Sequence, residues 1–135
     1  MQNDIRRLHQ LLKEGQCCAS ALVCMALERR GEDNPQLVQA MRGLCGGVQA
    51  GLLCGALTGA ACMLNVADPE RANMEMVPDL VRWFRAEMGM AYGGSDCAVI
   101  AGPDAFTRAA RCPAVVEATY CQAKEILKSF GHEWE

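Results

Sequence analysis

Among its 135 residues the chain has no Cys-x-x-Cys pair, no polybasic run, scarcely any alternating strand pattern and only two histidines. Without Cys-x-x-Cys, neither a thioredoxin-type dithiol nor a zinc-ribbon knuckle is supported. His9 and His132 lie near opposite ends in polar stretches and read as solvated surface residues, not ligands. Thirteen basic residues against sixteen acidic ones give a formal net charge of -3. No positive face is therefore available for nucleic acid, and no cationic patch for anionic lipid. The first thirteen residues carry charge throughout and lack the apolar stretch and cleavage site of a secretory signal. The longest mainly apolar run, residues 48–67, is broken by Gly51, Gly55 and Gly59 and has no anchoring residues at its borders. It reads as a buried core helix and not as a membrane span. Gly46-Gly47 lacks the lysine and strand context of a phosphate loop, and the carboxylates, spread over polar faces, suggest no acid–base pair. The expectation is a cytoplasmic protein with neither a membrane nor a nucleic-acid partner.

What the chain does have is nine cysteines and eight methionines, against three Phe and two Trp. A chain of this length buries a core without needing disulfides as staples. In a reducing compartment many cysteines point to metal or redox chemistry, and an odd number cannot all pair internally. The prolines punctuate helices: Pro35, Pro69, Pro78, Pro103 and Pro113 can each occupy a first helical position, where the missing N–H costs nothing. Apolar periodicity predicts helices over roughly residues 3–14, 16–30, 35–44, 51–66, 78–90 and 113–130, with a loop at 91–96 and short helical turns after it. The fourth is apolar nearly all round. The expected fold is all-α, a single domain over residues 1–135 with about five to six helices packed around that central helix.

Four cysteines fall at predicted helix starts. Cys18 follows Gly15, Cys54 follows Gly51, Cys97 follows Ser95-Asp96, and Cys112 precedes Pro113 as a cap residue. Unpaired N–H groups and the positive end of the helix dipole favour thiolate over thiol there. Arg108 and Arg111 would add positive potential at Cys112. Cys24, Cys62 and Cys121 sit inside predicted helices and read as small core hydrophobes. Cys17 and Cys45 adjoin glycine-containing segments near a favoured cysteine and are left open between the two roles. Gly55 and Gly59, flanked by Ala56 and Ala60, would let a neighbouring helix approach closely and bring Cys18 toward Cys54.

The segment Cys54-Gly55-Ala56-Leu57-Thr58-Gly59 carries a CGAxxG motif. Before it come Cys18 with a small-residue helix and a glycine-rich approach, and after it Trp83-Phe84, a glycine loop with Cys97, and Cys112. In this ordered set the chain resembles the C-GCAxxG-C-C family of redox-active proteins over about residues 15–127. Cys17, Cys24, Cys45, Cys62 and Cys121 exceed that four-cysteine pattern, and Cys17 beside Cys18 leaves the first position ambiguous. The resemblance implies a redox role for Cys18, Cys54, Cys97 and Cys112, as ligands or as redox-active thiols. Three functions follow, in this order. The first is electron transfer through an iron–sulfur cluster held by the four thiolates. The second is a metal-free dithiol protein attacking through Cys112 or Cys97. The third is a structural or partner-binding helical domain with a Cys₄ zinc site or no site. The first two need a redox partner protein, whose identity the sequence leaves open, as it does a homo-oligomeric state.

Overall fold

The computed structural model describes residues 2–134. Among the described residues seven α-helices follow one another: α1 (Gln2–Lys13), α2 (Cys18–Arg29), α3 (Pro35–Met41), α4 (Gly55–Ala67), α5 (Val77–Tyr92), α6 (Cys97–Ala101) and α7 (Ala105–Ser129). Among the described residues there is no strand, only an isolated antiparallel bridge between Leu53 and Asp96. The fold is all-α, and none of its described helices is long and apolar enough to cross a membrane.

α4 is the axis. It has no charged residue, and none of its thirteen residues is exposed. α2, α5 and α7 pack around it, burying Leu22, Met63, Leu64, Phe84 and Val116 in one core. The closest of these contacts is set by Gly59, where a Cβ would lie 2.7 Å from Ala19 Cα and 2.9 Å from Ala19 O. Only glycine permits α2 and α4 to meet backbone against backbone at that point. Gly55, one turn earlier, lies beside Cys18, whose Cβ would be 3.5 Å from a Cβ at residue 55. The motif glycines thus bring the start of α2 onto the start of α4.

Two helix starts differ from the sequence expectation. α4 begins at Gly55, and Leu52 and Leu53 lie outside it with 56% and 43% of their surface exposed. The reason is the preceding loop, in which Gly46, Gly47, Val48, Gln49 and Gly51 all have positive φ and no helix can continue. α7 begins at Ala105 and runs through Pro113, so Cys112 lies within the helix and does not cap it. Asp104 captures the start: its carboxylate accepts from the Thr107 amide at 2.8 Å. Ala105, Ala109 and Ala110 then supply helix propensity up to the proline.

His132 is not a solvated residue. Its Nε2 lies 2.7 Å from Asp68 Oδ2, and Arg71 donates to the same oxygen at 2.9 Å and to the Phe130 carbonyl at 3.1 Å. This closes the C-terminal segment onto the end of α4. His132 and Arg71 hold the Asp68 carboxyl down at about 2. His9 pairs with Glu117 at 2.6 Å on a half-exposed face. A buried polar cluster joins the other end: Lys124 and the Tyr120 hydroxyl both donate to Asp4 Oδ2 at 2.7 Å, and Trp134 Nε1 donates to the Tyr120 oxygen at 2.8 Å.

Candidate functional site

Each of the four expected cysteines is positioned by a different element. Cys18 is the first residue of α2, with Cys17 at the cap; there the Ser20 hydroxyl accepts from the Cys17 amide at 3.0 Å. Cys54 is the cap residue of α4 and is buried. Cys97 opens α6 behind Asp96, is buried, and donates its amide to the Leu52 carbonyl. Gly47 makes that closure feasible, since a Cβ on it would meet Cys97 Cβ at 2.9 Å and the Leu52 backbone closer still. Cys112 is half-buried on α7, one turn beyond Arg108.

These residues converge. Cys18 and Cys112 share the wall of one pocket, and Cys54 and Cys97 lie near enough to act on Cys18 electrostatically; Cys54 in turn feels Cys97 and Cys112. Arg108 Nη1 sits 3.9 Å from Cys97 Sγ and contributes positive potential to Cys112. Arg111 turns away, donating to the Ile100 carbonyl at 3.4 Å and lying over the Tyr92 ring.

The four thiols are not equivalent. The Cys18 hydrogen bond brings Cys112 down to about 7, against the cost of partial burial and with Arg108 assisting. The same contact, with burial and the neighbouring cysteines, pushes Cys18 up. One proton leaves the pair easily and the second is held. Burial pushes Cys54 up to about 11, although the Ala56 and Leu57 amides favour its thiolate. A helix start therefore does not lower Cys18 or Cys54, where neighbouring thiols and desolvation outweigh the N–H groups. Cys112 is low for another reason: the Cys18 thiol and Arg108 favour its thiolate, and no helix end does. Cys24, Cys62 and Cys121 are half-buried with their thiols raised by burial.

A pocket of about 460 Å³ opens onto the cluster. Cys18 and Cys112 are on its wall, while Cys54 and Cys97 lie outside the lining. Arg108, Gln16 and Gln49 are its polar members, and Leu12, Pro113 and Val116 its apolar ones. The wall also carries Cys17 and Cys45, which are joined as a disulfide with Cα atoms 5.9 Å apart. That separation lies within the usual disulfide range. The sequence alone leaves both residues open between a core and a site role. Their only signal was proximity to glycine segments, and nothing local relates residues 28 positions apart.

Among the described residues no three or more His, Cys, Asp or Glu side chains are disposed to hold a metal ion. Cys18, Cys54, Cys97 and Cys112 are the thiols that would hold an iron–sulfur cluster or a zinc ion, and binding would take their protons; as placed, their sulfurs do not form such a ligand group.

No curated protein and no solved structure matches the chain. Residues 16–126 match the family described as "Putative redox-active protein (C_GCAxxG_C_C)", a span that takes in every cysteine of the cluster and pocket. The chain belongs to this redox-active family.

Proposed function

We propose that the protein is a thiol–disulfide redox protein whose working pair is Cys112 and Cys18. The observation that carries this reading is the placement of Cys18 and Cys112 together on the wall of an open pocket, with Arg108 on the same wall. An attacking cysteine must be ionised near neutral pH, and the optimum attacker has a pKa near ambient pH. Cys112, at about 7, meets that requirement. The substrate class is a disulfide presented by a partner protein. Cys112 thiolate attacks one sulfur of that disulfide, and the other leaves as a thiolate and takes a proton. Cys18 then gives up its proton and attacks Cys112 Sγ, which releases the reduced partner and leaves a Cys18–Cys112 disulfide. Two electrons pass from the pair to the partner. Cys54 keeps its proton through this cycle, and Cys97 holds Arg108 in place next to the reacting sulfur.

The competing reading is electron transfer through a cluster on Cys18, Cys54, Cys97 and Cys112. The two part on the anaerobically purified protein. Dithiol chemistry predicts that mild oxidation consumes Cys112 together with Cys18 and that no stoichiometric iron or sulfide accompanies the chain. Visible charge-transfer bands with stoichiometric iron and acid-labile sulfide would overturn it.

A further inference from the structure

We propose that the Cys17–Cys45 disulfide is a second redox couple that exchanges directly with the Cys18/Cys112 pair inside their shared pocket. The inference rests on the dithiol reading of that pair. Four observations support it. Cys17, Cys18, Cys45 and Cys112 line one pocket, and none of them is fully buried, so the disulfide is open to attack from the space in which the thiolate stands. Cys17 and Cys18 are consecutive, so one member of each couple is carried on the first turn of α2. Cys45 leads into residues 46–51, where Val48 and Gln49 hold left-handed backbone (φ 59 and 57) that a β-branched residue rarely adopts. Gln49 Nε2 donates back to the Cys45 carbonyl at 3.1 Å. Finally, the disulfide is not required as a staple. Met41 packs with Ala19 and Val23 in a second apolar cluster against which Leu44 and Cys17 rest, so the segment before Cys45 is already docked on α2.

The exchange balances within the chain. Cys112 thiolate attacks Cys17 Sγ, forming a Cys17–Cys112 bond and expelling Cys45 as a thiolate. Cys18 passes its proton to Cys45 and attacks Cys112 Sγ, forming Cys18–Cys112 and expelling Cys17 as a thiolate. One disulfide has broken and one has formed. One proton has moved from Cys18 to Cys45, and the negative charge has moved from Cys112 to Cys17. Attack at Cys17 is the productive choice, because it leaves Cys112 bonded next to Cys18. The reverse sequence lets a Cys18–Cys112 disulfide made during turnover return the site thiols to their reduced form and store the oxidising equivalents at Cys17–Cys45.

The experiment uses full-length protein carrying the Cys17–Cys45 disulfide and seven free thiols. It is held anaerobically without added thiol, quenched in acid, alkylated and peptide-mapped over time. The expected result is a Cys18–Cys112 peptide that grows in while the thiol count stays constant. Its rate should fall about fiftyfold from pH 7 to pH 5, the ratio of thiolate fractions for an attacker at about 7. In Cys18→Ala the same protocol should stop at a Cys17–Cys112 link with Cys45 free. If Cys17–Cys45 stays the sole disulfide in both proteins, the exchange is overturned. The Cys17→Ala/Cys45→Ala double variant, treated with oxidised glutathione, then tells which part failed. A Cys18–Cys112 disulfide formed there leaves the dithiol reading standing without the exchange, and none formed there overturns both.

Discussion

Replacing Cys18 with alanine removes the donor that holds the Cys112 thiolate. In the intact protein Cys112 lies at about 7 against an ordinary value of 9.0, with the Cys18 hydrogen bond as the largest cause and Arg108 assisting. A hydrogen bond to a charged group contributes about 1.5–3 kcal/mol, and one pKa unit corresponds to about 1.4 kcal/mol. Because Cys112 is only half-buried, solvent screening favours the lower end, so the loss should raise it by about one unit. At pH 7 the thiolate fraction would then fall from about one half to about one tenth. The more basic thiolate is intrinsically more nucleophilic, so the alkylation rate itself falls only about twofold. The midpoint of the pH profile is therefore the sharper readout. Brief iodoacetamide treatment across a pH series, with Cys112 labelling quantified by mass spectrometry, measures it directly. Cys18→Ala should move the midpoint from about 7 to about 8. Cys18→Ser, which keeps an O–H donor, should remain between the two. A midpoint unmoved by Cys18→Ala would refute the reasoning that the thiol pair sets the reactivity.

Three further outcomes follow from the packing and the buried groups. Gly59→Ala puts a Cβ 2.7 Å from Ala19 Cα, where backbone and not a flexible side chain must give way. It should cost about 1–3 kcal/mol in thermal or denaturant unfolding and slow Cys112 alkylation at pH 7 by displacing Cys18. Burial raises Cys54 from 9.0 to about 11, so the folded state keeps a proton that the unfolded chain loses first. This contribution is whole below about pH 9 and fades as the pH climbs toward about 11, costing about 1 kcal/mol by pH 10; Cys54→Ala should flatten that part of the decline in Tm. Asp4→Ala deletes the carboxylate shared by buried Lys124 and Tyr120 and should cost about 3–5 kcal/mol, with Asp4→Asn milder, both read by Trp134 fluorescence during unfolding.

The central helix was legible because a segment without a charged face has no stable place but the interior. The Gly55/Gly59 contact was legible as well, because small residues one turn apart mark a close helix approach whether or not chemistry occurs there. Cys18, Cys54 and Cys97 stand at helix starts as their flanking glycines and Asp96 implied. Cys112 was misjudged in its local setting, since Pro113 reads as a start signal and Asp104 captured the helix two turns earlier. Its partner was beyond local reasoning: the Cys18–Cys112 contact depends on α7 crossing the first turn of α2. The Cys17–Cys45 disulfide depends likewise on how the turn after α3 packs on α2, and the Asp68–His132 contact on the C-terminus folding back. Periodicity and capping rules carry no information about such distant pairings. The electrostatic outcome was equally hidden, because whether N–H groups or desolvation decides a thiol's pKa depends on a burial that sequence does not reveal.

The most direct measurement is the reduction potential of the Cys17→Ala/Cys45→Ala variant in glutathione buffers as a function of pH, read by peptide mapping of the Cys18–Cys112 disulfide. A two-electron couple shifts by about 30 mV per pH unit for each proton taken up on reduction. Below pH 7 both thiols are protonated on reduction, and the potential should change by about 59 mV per unit. Above it Cys112 remains a thiolate, and the slope should halve to about 30 mV, with the break near the Cys112 value of about 7. A Cys18–Cys112 disulfide that follows this broken line is the predicted result. No such disulfide at any buffer ratio, or a slope that passes through pH 7 unbroken, would contradict a working pair built on Cys112 and Cys18.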